Sequence, residues 1–417
     1  MREISLAIIG GGAAGMAAAI EAKRNGINDL VIFEKEDYLG GILNQCIHDG
    51  FGLIEFKTEL TGPEYLQRFV DQIIEFGIPY KLNTQVMDVT PDKILTYSNA
   101  SEGVVKLQCK AIIFATGCYE RGAGAILLAG DRPSGIITAG TAQNYLNIHG
   151  MMVGKKIVIL GSGDIGLIMA RRLTLEGAEV LCVAEIMAYA NGLNRNIVQC
   201  LHDYDIPLML STTVSKVIGK KRLEKVVLSK VDKNLQIIPG TEQEIACDTL
   251  ILSVGLIPYT ALLNKILVLP SSARWASVNQ YMETDLPGIF ICGNSLHVHD
   301  IVDFVSEEAR IAGKSAALYI QDIIKRHDAT INVNCGKGIN YVLPQKLTTE
   351  SVEDVIFKYR VKQPVNNQLL ILKSGDVILY KQAKPILIPS EMGTIKIAKE
   401  KLQNITEEIT LFLEDRQ

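Results

Sequence analysis

A chain of 417 residues is longer than one ordinary hydrophobic core serves, and its length points to two or three domains. Its 48% hydrophobic and 21% charged residues exclude a disordered or membrane-embedded class. The formal net charge of −4, with basic residues scattered and clustered only briefly at Lys220, Lys221 and Arg222, excludes the electrostatic footprint of a nucleic-acid binder.

The chain opens with a short isoleucine-rich run, residues 4–9, suited to a buried parallel strand. Gly10, Gly12 and Gly15 follow in GxGxxG register. Gly10 permits the tight turn, Gly12 lets backbone approach a pyrophosphate, and Gly15 lets a helix over about 13–25 lie close to the strand. That helix presents unpaired N–H groups at its start, and Ala14 lies in its first turn. The apolar run 30–33 ends at Glu34, nineteen residues after Gly15, where a carboxylate accepts hydrogen bonds from ribose hydroxyls; Lys35 adjoins it. Strand, glycine turn, helix, strand and acid together form a dinucleotide-binding start.

Gly40 and Gly41 precede Ile42, Leu43, Asn44, Gln45, Cys46, Ile47 and His48. This stretch either lines a flat ligand or is a turn before an ordinary helix, and its spacing leaves both open. Residues 61–76 carry helical periodicity, with Leu66, Phe69, Val70, Ile73 and Ile74 on one face. Strands are expected over 85–89, which contains Val86, then 93–97 and 104–109. A separate buried strand from 110 ends in the small residues Ala115, Thr116 and Gly117.

The opening plan then repeats. Residues 156–160 run into Gly161, Gly163 and Gly166, with Asp164 and Ile165 beginning a helix to about 176, and residues 179–184 end at Glu185. The interval from third glycine to acid is again nineteen, and an acid there favours a free ribose 2′-hydroxyl, hence NADH over NADPH. The alternative is a relic of the fold that binds nothing. Short strands over 213–218, 223–230 and 236–238 precede a buried run, 248–255, ending at Gly255. A further strand, 288–293, ends in Gly293 and Asn294, and residues 304–325 read as a helix whose start near Asp303 points its dipole at a bound ring. From Thr330 the pattern becomes strands at 338–342, 355–361, 368–372, 377–380, 386–388, 394–398 and 409–413.

The eight cysteines form no CxxC pair and no zinc or iron–sulfur spacing, so a reducing cytoplasm is the expected home. The apolar first twenty-two residues lack a signal cleavage site, and no apolar run is long enough for a membrane-spanning helix. His48, His297 and His299 are candidate proton acceptors beside a hydride transfer, and Cys46 is a candidate reactive thiol, each with a plain structural alternative. His297, His299 and Asp300 offer too few spaced ligands for a metal site, and no metal is expected.

Together GGGAAG at 10–15, ATG at 115–117, GSGDIG at 161–166, SVGLIP at 253–258 and GIFICGN at 288–294 resemble the two-dinucleotide flavoproteins of the pyridine nucleotide–disulfide oxidoreductase superfamily, over about residues 1–328. The resemblance implies FAD on the first motif, in contact with Gly10, Gly12, Gly15, Glu34, Gly41, Thr116, Gly117 and Gly293. Ala14, Lys35, Ile42, Leu43, Val86, Ala115 and Asn294 complete that expected set. It implies NAD(H) on Gly161, Gly163, Asp164, Ile165, Gly166, Glu185 and Gly255. Asn294 stands where the superfamily has Asp, and no cysteine pair is present to take two electrons.

More narrowly, the runs 118–121 and 132–143 look like the flavoprotein subunits of opine, hydroxyproline and hydrogen cyanide-forming dehydrogenases. Residues 41–52 and 297–303 look like flavoproteins that accompany glycerol-3-phosphate dehydrogenase-like partners. The fold expected is α/β: two Rossmann-like dinucleotide-binding domains, the FAD domain at 1–120 and 285–328 and the NAD(P) domain at 121–284, with a small C-terminal β-rich domain at 329–417. The activity implied is an FAD-dependent oxidoreductase moving hydride between NAD(H) and an acceptor. Its alternatives are a dehydrogenase-complex subunit that oxidises an amine, opine or hydroxy substrate, and a non-catalytic nucleotide-binding scaffold. The expected partners are a small-molecule substrate or acceptor and, through the C-terminal domain, a partner subunit or a second copy.

Overall fold

A computed structural model describes residues 1–267, 276–323, 330–348, 353–403 and 405–416. Two units emerge, one of residues 1–118 and 258–417, the other of residues 119–257.

The first unit is built on a sheet in which Leu30–Phe33, Arg2–Ile9 and Gly103–Phe114 run parallel, with Ile289–Ile291 added beside the last. Leu6, Ile8, Ile32, Ile112 and Ile113 are completely buried, as a parallel sheet covered on both faces requires. Gly103–Phe114 is one continuous strand where two were expected, because nothing between Cys109 and Lys110 breaks extended backbone. Its first half pairs antiparallel with Ile94–Asn99. Its second half joins the parallel core, so one strand serves both layers.

Two helices pack closely here. Ala13–Arg24 supplies Ala14, Ala17 and Ala18, and Val302–Ile320 supplies Ala309, Ala312 and Gly313. A Cβ on Gly313 would stand 2.2 Å from the Ala18 carbonyl oxygen, so the backbone approach depends on this small-residue face. The second helix starts at Val302, and its expected end at Lys325 lies outside the described residues. The helix Gly62–Glu75 begins with a capping box: Glu64 N–H donates to Thr61 Oγ1 at 3.4 Å and Thr61 N–H donates to Glu64 Oε2 at 2.8 Å.

The second unit holds a parallel sheet of Leu208–Met209, Glu179–Ala184, Lys156–Leu160, Thr249–Leu252 and Ile136–Thr138. An antiparallel trio, Thr212–Gly219, Leu223–Lys230 and Gln243–Ala246, belongs to the same unit. The third of these replaces the strand expected at 236–238. Ile237 makes only an isolated bridge to Val231, and the polar run Gln243-Glu244 carries the pairing instead. The second domain was expected to reach residue 284, yet the unit ends at 257. Leu262, Leu263, Ala276, Val278 and Met282 are buried in the core of the first unit.

The C-terminal segment forms two sheets. Five strands run in the order Lys346–Thr348, Thr330–Cys335, Ile409–Asp415, Val365–Ser374, Val377–Leu387, and three in the order Ile339–Leu343, Val355–Val361, Gly393–Ile397. Two of these, Thr330–Cys335 and Lys346–Thr348, were not anticipated, and the strands expected at 377–380 and 386–388 are one. Phe357, Tyr359, Leu370, Leu372 and Leu411 fill a core of its own. Tyr341 and Leu343 instead enter the core of the nucleotide fold in the same unit.

Candidate functional site

The first glycine turn is closed by its acid. Glu34 Oε2 accepts the Gly11 N–H at 2.7 Å, and Oε1 accepts the Glu36 N–H at 2.9 Å. Each oxygen keeps one lone pair, enough for the two hydroxyls of a ribose. Around it, the three glycines differ in what they exclude. A Cβ on Gly10 would lie 2.3 Å from the Ala115 carbonyl oxygen, and one on Gly15 would lie 1.8 Å from that of Gly10. A Cβ on Gly12 would meet nothing among the described residues within 4 Å. Gly10 and Gly15 are therefore glycine for the protein's own packing, whereas Gly12 borders space that a ligand backbone approach would use. The dinucleotide fits this cradle.

Gly40 and Gly41 both take positive φ, and Gly41–Gln45 is a single 3-10 turn where an ordinary helix was one of the two readings. Leu43 is buried beneath it and Ile42 is 56% exposed. Residues 51–56 are pinned by Asp303, which accepts from Gly52 N–H at 3.3 Å and Glu55 N–H at 2.7 Å. Arg310 grips the Glu55 carboxylate with both guanidinium nitrogens. The Val86 side chain is packed into the core, and Lys35 Nζ lies 3.2 Å from Glu36 Oε1.

The second glycine turn repeats the construction within its own unit. Glu185 Oε2 accepts from Ser162 N–H at 2.9 Å and Ser162 Oγ at 2.6 Å, while Oε1 accepts from Met187 N–H at 2.8 Å. Gly161 has φ +96°, and its Cβ would stand 2.1 Å from the Ser253 carbonyl oxygen. Gly166 N–H donates to Ser253 Oγ at 3.1 Å. Asp164 Oδ1 accepts from Leu193 N–H at 2.8 Å and Asn196 Nδ2 at 2.6 Å, tying residues 193–196 to the turn. Ile165 is half-buried, and Gly255 has φ +104°.

Gly293 and Asn294 sit at the mouth of a buried polar cluster. Gly293 N–H donates to Glu308 Oε1 at 2.8 Å. Asn294 Oδ1 is taken by His299, from its N–H at 3.0 Å and beside Nδ1 at 3.2 Å, and Asn294 Nδ2 faces the Cys118 sulfur at 3.7 Å. The amide expected beside a cofactor also holds a histidine through its oxygen. His297 Nε2 lies 2.9 Å from Glu308 Oε2 and its Nδ1 3.2 Å from the Tyr341 hydroxyl. His299 Nε2 is 3.3 Å from the same carboxylate oxygen, outside hydrogen-bond geometry. Lys358 Nζ reaches Glu308 Oε2 at 3.3 Å from the C-terminal sheet. Burial alone would raise the Glu308 carboxyl. Lys358, then His299 and His297, outweigh it and hold the group well below the usual carboxylate range. Burial, then neighbouring His297, pushes His299 down to about 3.

These facts bear on two catalytic expectations. Cys46 donates to the Ile42 carbonyl at 3.3 Å, and burial pushes its thiol up to about 12, so it carries no thiolate at neutral pH. All eight cysteines are without disulfides. The His299 side chain is fully buried, and that burial disfavours its charged form. His48 stacks at a tilt 5.0 Å from Phe51 in a half-buried position. Sequence reading missed Glu308, Lys358, Tyr341 and Arg360. The available signal was a lysine and an arginine at alternate positions of an otherwise apolar strand.

The model of the pyridine nucleotide-disulphide oxidoreductase family matches residues 4–317, and the chain belongs to that family. It is therefore an oxidoreductase of a family that uses FAD and NAD(P)H. Its relatives include hydrogen cyanide synthase subunit HcnB of Pseudomonas protegens, 25% identical over 340 residues, 75% of this chain and 69% of that one. Thioredoxin reductase of Listeria monocytogenes is 24% identical over 324 residues, 76% of this chain and 93% of the relative. Among solved structures, thioredoxin reductase of T. acidophilum superposes with a TM-score of 0.61 at 22% identity, over 77% of this chain and 99% of that one, a likeness of fold. Among the described residues no helix is long and apolar enough to cross a membrane.

Proposed function

We propose that the protein passes hydride from NADH to an acceptor through FAD, with Gly10, Gly12, Gly15, Glu34, Gly41, Thr116, Gly117 and Gly293 holding FAD and Gly161, Gly163, Gly166 and Glu185 holding the nicotinamide dinucleotide. The observation that carries this reading is the repeated construction of a glycine turn whose following N–H is fixed by a buried glutamate, Gly11 to Glu34 and Ser162 to Glu185. Glu34 binds the ribose hydroxyls, and the N-termini of Ala13–Arg24 and Asp164–Leu175 balance pyrophosphate charge. When bound, the flavin supplies the two-electron chemistry. The protein's own groups orient it and exclude water.

A second reading, a dehydrogenase-complex subunit, draws support from two facts. The chain is similar to HcnB, and no two of its cysteines form a disulfide, with burial pushing the Cys46 thiol up to about 12. In that reading the C-terminal sheets carry a partner subunit. Anaerobic incubation of the purified protein with NADH and, separately, with amines, opines and glycerol phosphate distinguishes the two. Flavin bleaching by NADH supports the first reading, bleaching by a C–H substrate alone supports the second, and purification without FAD defeats both.

A further inference from the structure

The helix Val302–Ile320 places Glu308 in a fully buried position behind Gly293, where one carboxylate faces three nitrogen bases. His297 and His299 come from the loop that follows Asn294. Lys358 comes from Val355–Val361, whose Phe357 and Tyr359 fill the C-terminal core while Lys358 and Arg360 face the nucleotide fold. A single buried negative charge needs a single positive partner, and any second cation in the cluster would be uncompensated. Lys358 meets that need: its Nζ lies 3.3 Å from Glu308 Oε2, 3.2 Å from the Phe304 carbonyl and 3.8 Å from Glu307 Oε2. The ligating atoms of His297, His299 and Glu308 fall within 4.8 Å of one another, a spacing that also suits a metal ion, but the ammonium already supplies the cation there.

We propose that Lys358 is a positioning residue for the cofactor site, acting through Glu308: by serving as the counter-ion of that carboxylate it frees His299 from doing so, and His299 Nδ1–H and Glu308 then hold Asn294 and Gly293 in place. The proposal rests on the reading of Gly293 and Asn294 as part of the FAD site. It assigns the C-terminal segment a task inside the cofactor domain. The remaining charged and titratable neighbours are already matched. Arg360 Nε donates to Tyr341 at 3.1 Å, its guanidinium also binds Asp300, and Asp300 Oδ2 accepts from Met392 N–H at 2.8 Å. Cys292 is held protonated by burial and Glu308. His299 Nε2, lacking a hydrogen-bond donor or acceptor of good geometry, is the atom left to take a proton if Lys358 is removed.

The test is K358M together with E308Q/K358M in the FAD-loaded full-length protein. It is read by the ring nitrogen signals of His299 in nuclear magnetic resonance, by the visible flavin spectrum against pH, and by the FAD dissociation constant. In the wild type His299 shows no titration above about pH 5, and in K358M it takes up one proton between about pH 5 and 8, with a matching change in the flavin spectrum and roughly tenfold weaker FAD binding. In E308Q/K358M the titration disappears. A K358M protein with no new His299 transition, or a transition that persists in the double variant, overturns the proposal. If K358M does not fold, folding of the double variant supports the charge assignment, and failure of both overturns it. A wild-type protein devoid of FAD defeats the site reading while the histidine titration still decides the role of Lys358.

Discussion

Glu34 Oε2 and the Gly11 N–H, 23 residues apart in the chain, meet at 2.7 Å and fix the first glycine turn to the end of the second strand. The same carboxylate is the proposed ribose anchor, and in that proposal one side chain both shapes the turn and binds what sits on it. E34Q places an amide N–H against that N–H in one rotamer and removes the charge in both. FAD binding is expected to weaken by about 1–3 kcal/mol, roughly tenfold to a hundredfold, measured by flavin fluorescence on titration of the stripped protein.

Two of the glycines of the first turn, Gly15 and Gly12, predict different failures. G15A forces a Cβ to 1.8 Å from the Gly10 carbonyl oxygen, so the protein itself is destabilised, seen as a lowered melting temperature without cofactor. G12A meets no described atom within 4 Å, and Gly12 has φ −76°, accessible to alanine. It is expected to melt like the wild type when stripped, yet to lose FAD affinity by tenfold or more, an order-of-magnitude expectation for blocking a close backbone approach. Normal FAD binding by G12A would remove Gly12 from the site.

Glu185 is more heavily used than Glu34. Three donors already occupy its oxygens, leaving Oε1 the lone pair that a 2′-hydroxyl would take. E185A is expected to raise the NADH dissociation constant by about tenfold and to leave FAD content unchanged. Unchanged NADH affinity would count against the ribose assignment.

The neutral state of His299 makes stability depend on pH. Its folded value is depressed to about 3 from 6.5, so its contribution is fully present above about pH 6.5 and is lost as pH falls through that window towards 3. About 2 kcal/mol should go between about pH 7 and 5, read by urea unfolding, with a smaller loss in H299Q. Glu308 adds a loss of the same sign at lower pH, below its unfolded value of 4.5, because its folded value is depressed as well. Equal pH profiles for wild type and H299Q would exclude a neutral buried His299.

Cys46 gives a negative test. With its thiol pushed up to about 12, C46S is expected to keep the wild-type rate of flavin reduction by NADH within about twofold in stopped-flow absorbance. A loss beyond tenfold would restore the thiol to the chemistry.

What could be read from the sequence follows the range of the interactions involved. Gly10, Gly12, Gly15 and Glu34 announce themselves within 25 residues because backbone geometry fixes their spacing, and Gly161 to Glu185 repeat it. The Glu308 cluster joins residues from 293 to 360 across a helix and two separate strands, so no local period marks it. The burial around Cys46 and His299 was hidden for the same reason, since burial is a property of the assembled core. Gln243–Ala246 was passed over because its side chains alternate weakly, its pairing being carried by backbone opposite Leu223–Lys230.

The most direct test of the two-nucleotide account is anaerobic stopped-flow mixing of the FAD-loaded protein with NADH and with NADPH, following the visible flavin band. The account predicts rapid bleaching by NADH and slower bleaching by NADPH. A fully loaded flavoprotein that neither nucleotide reduces would contradict it.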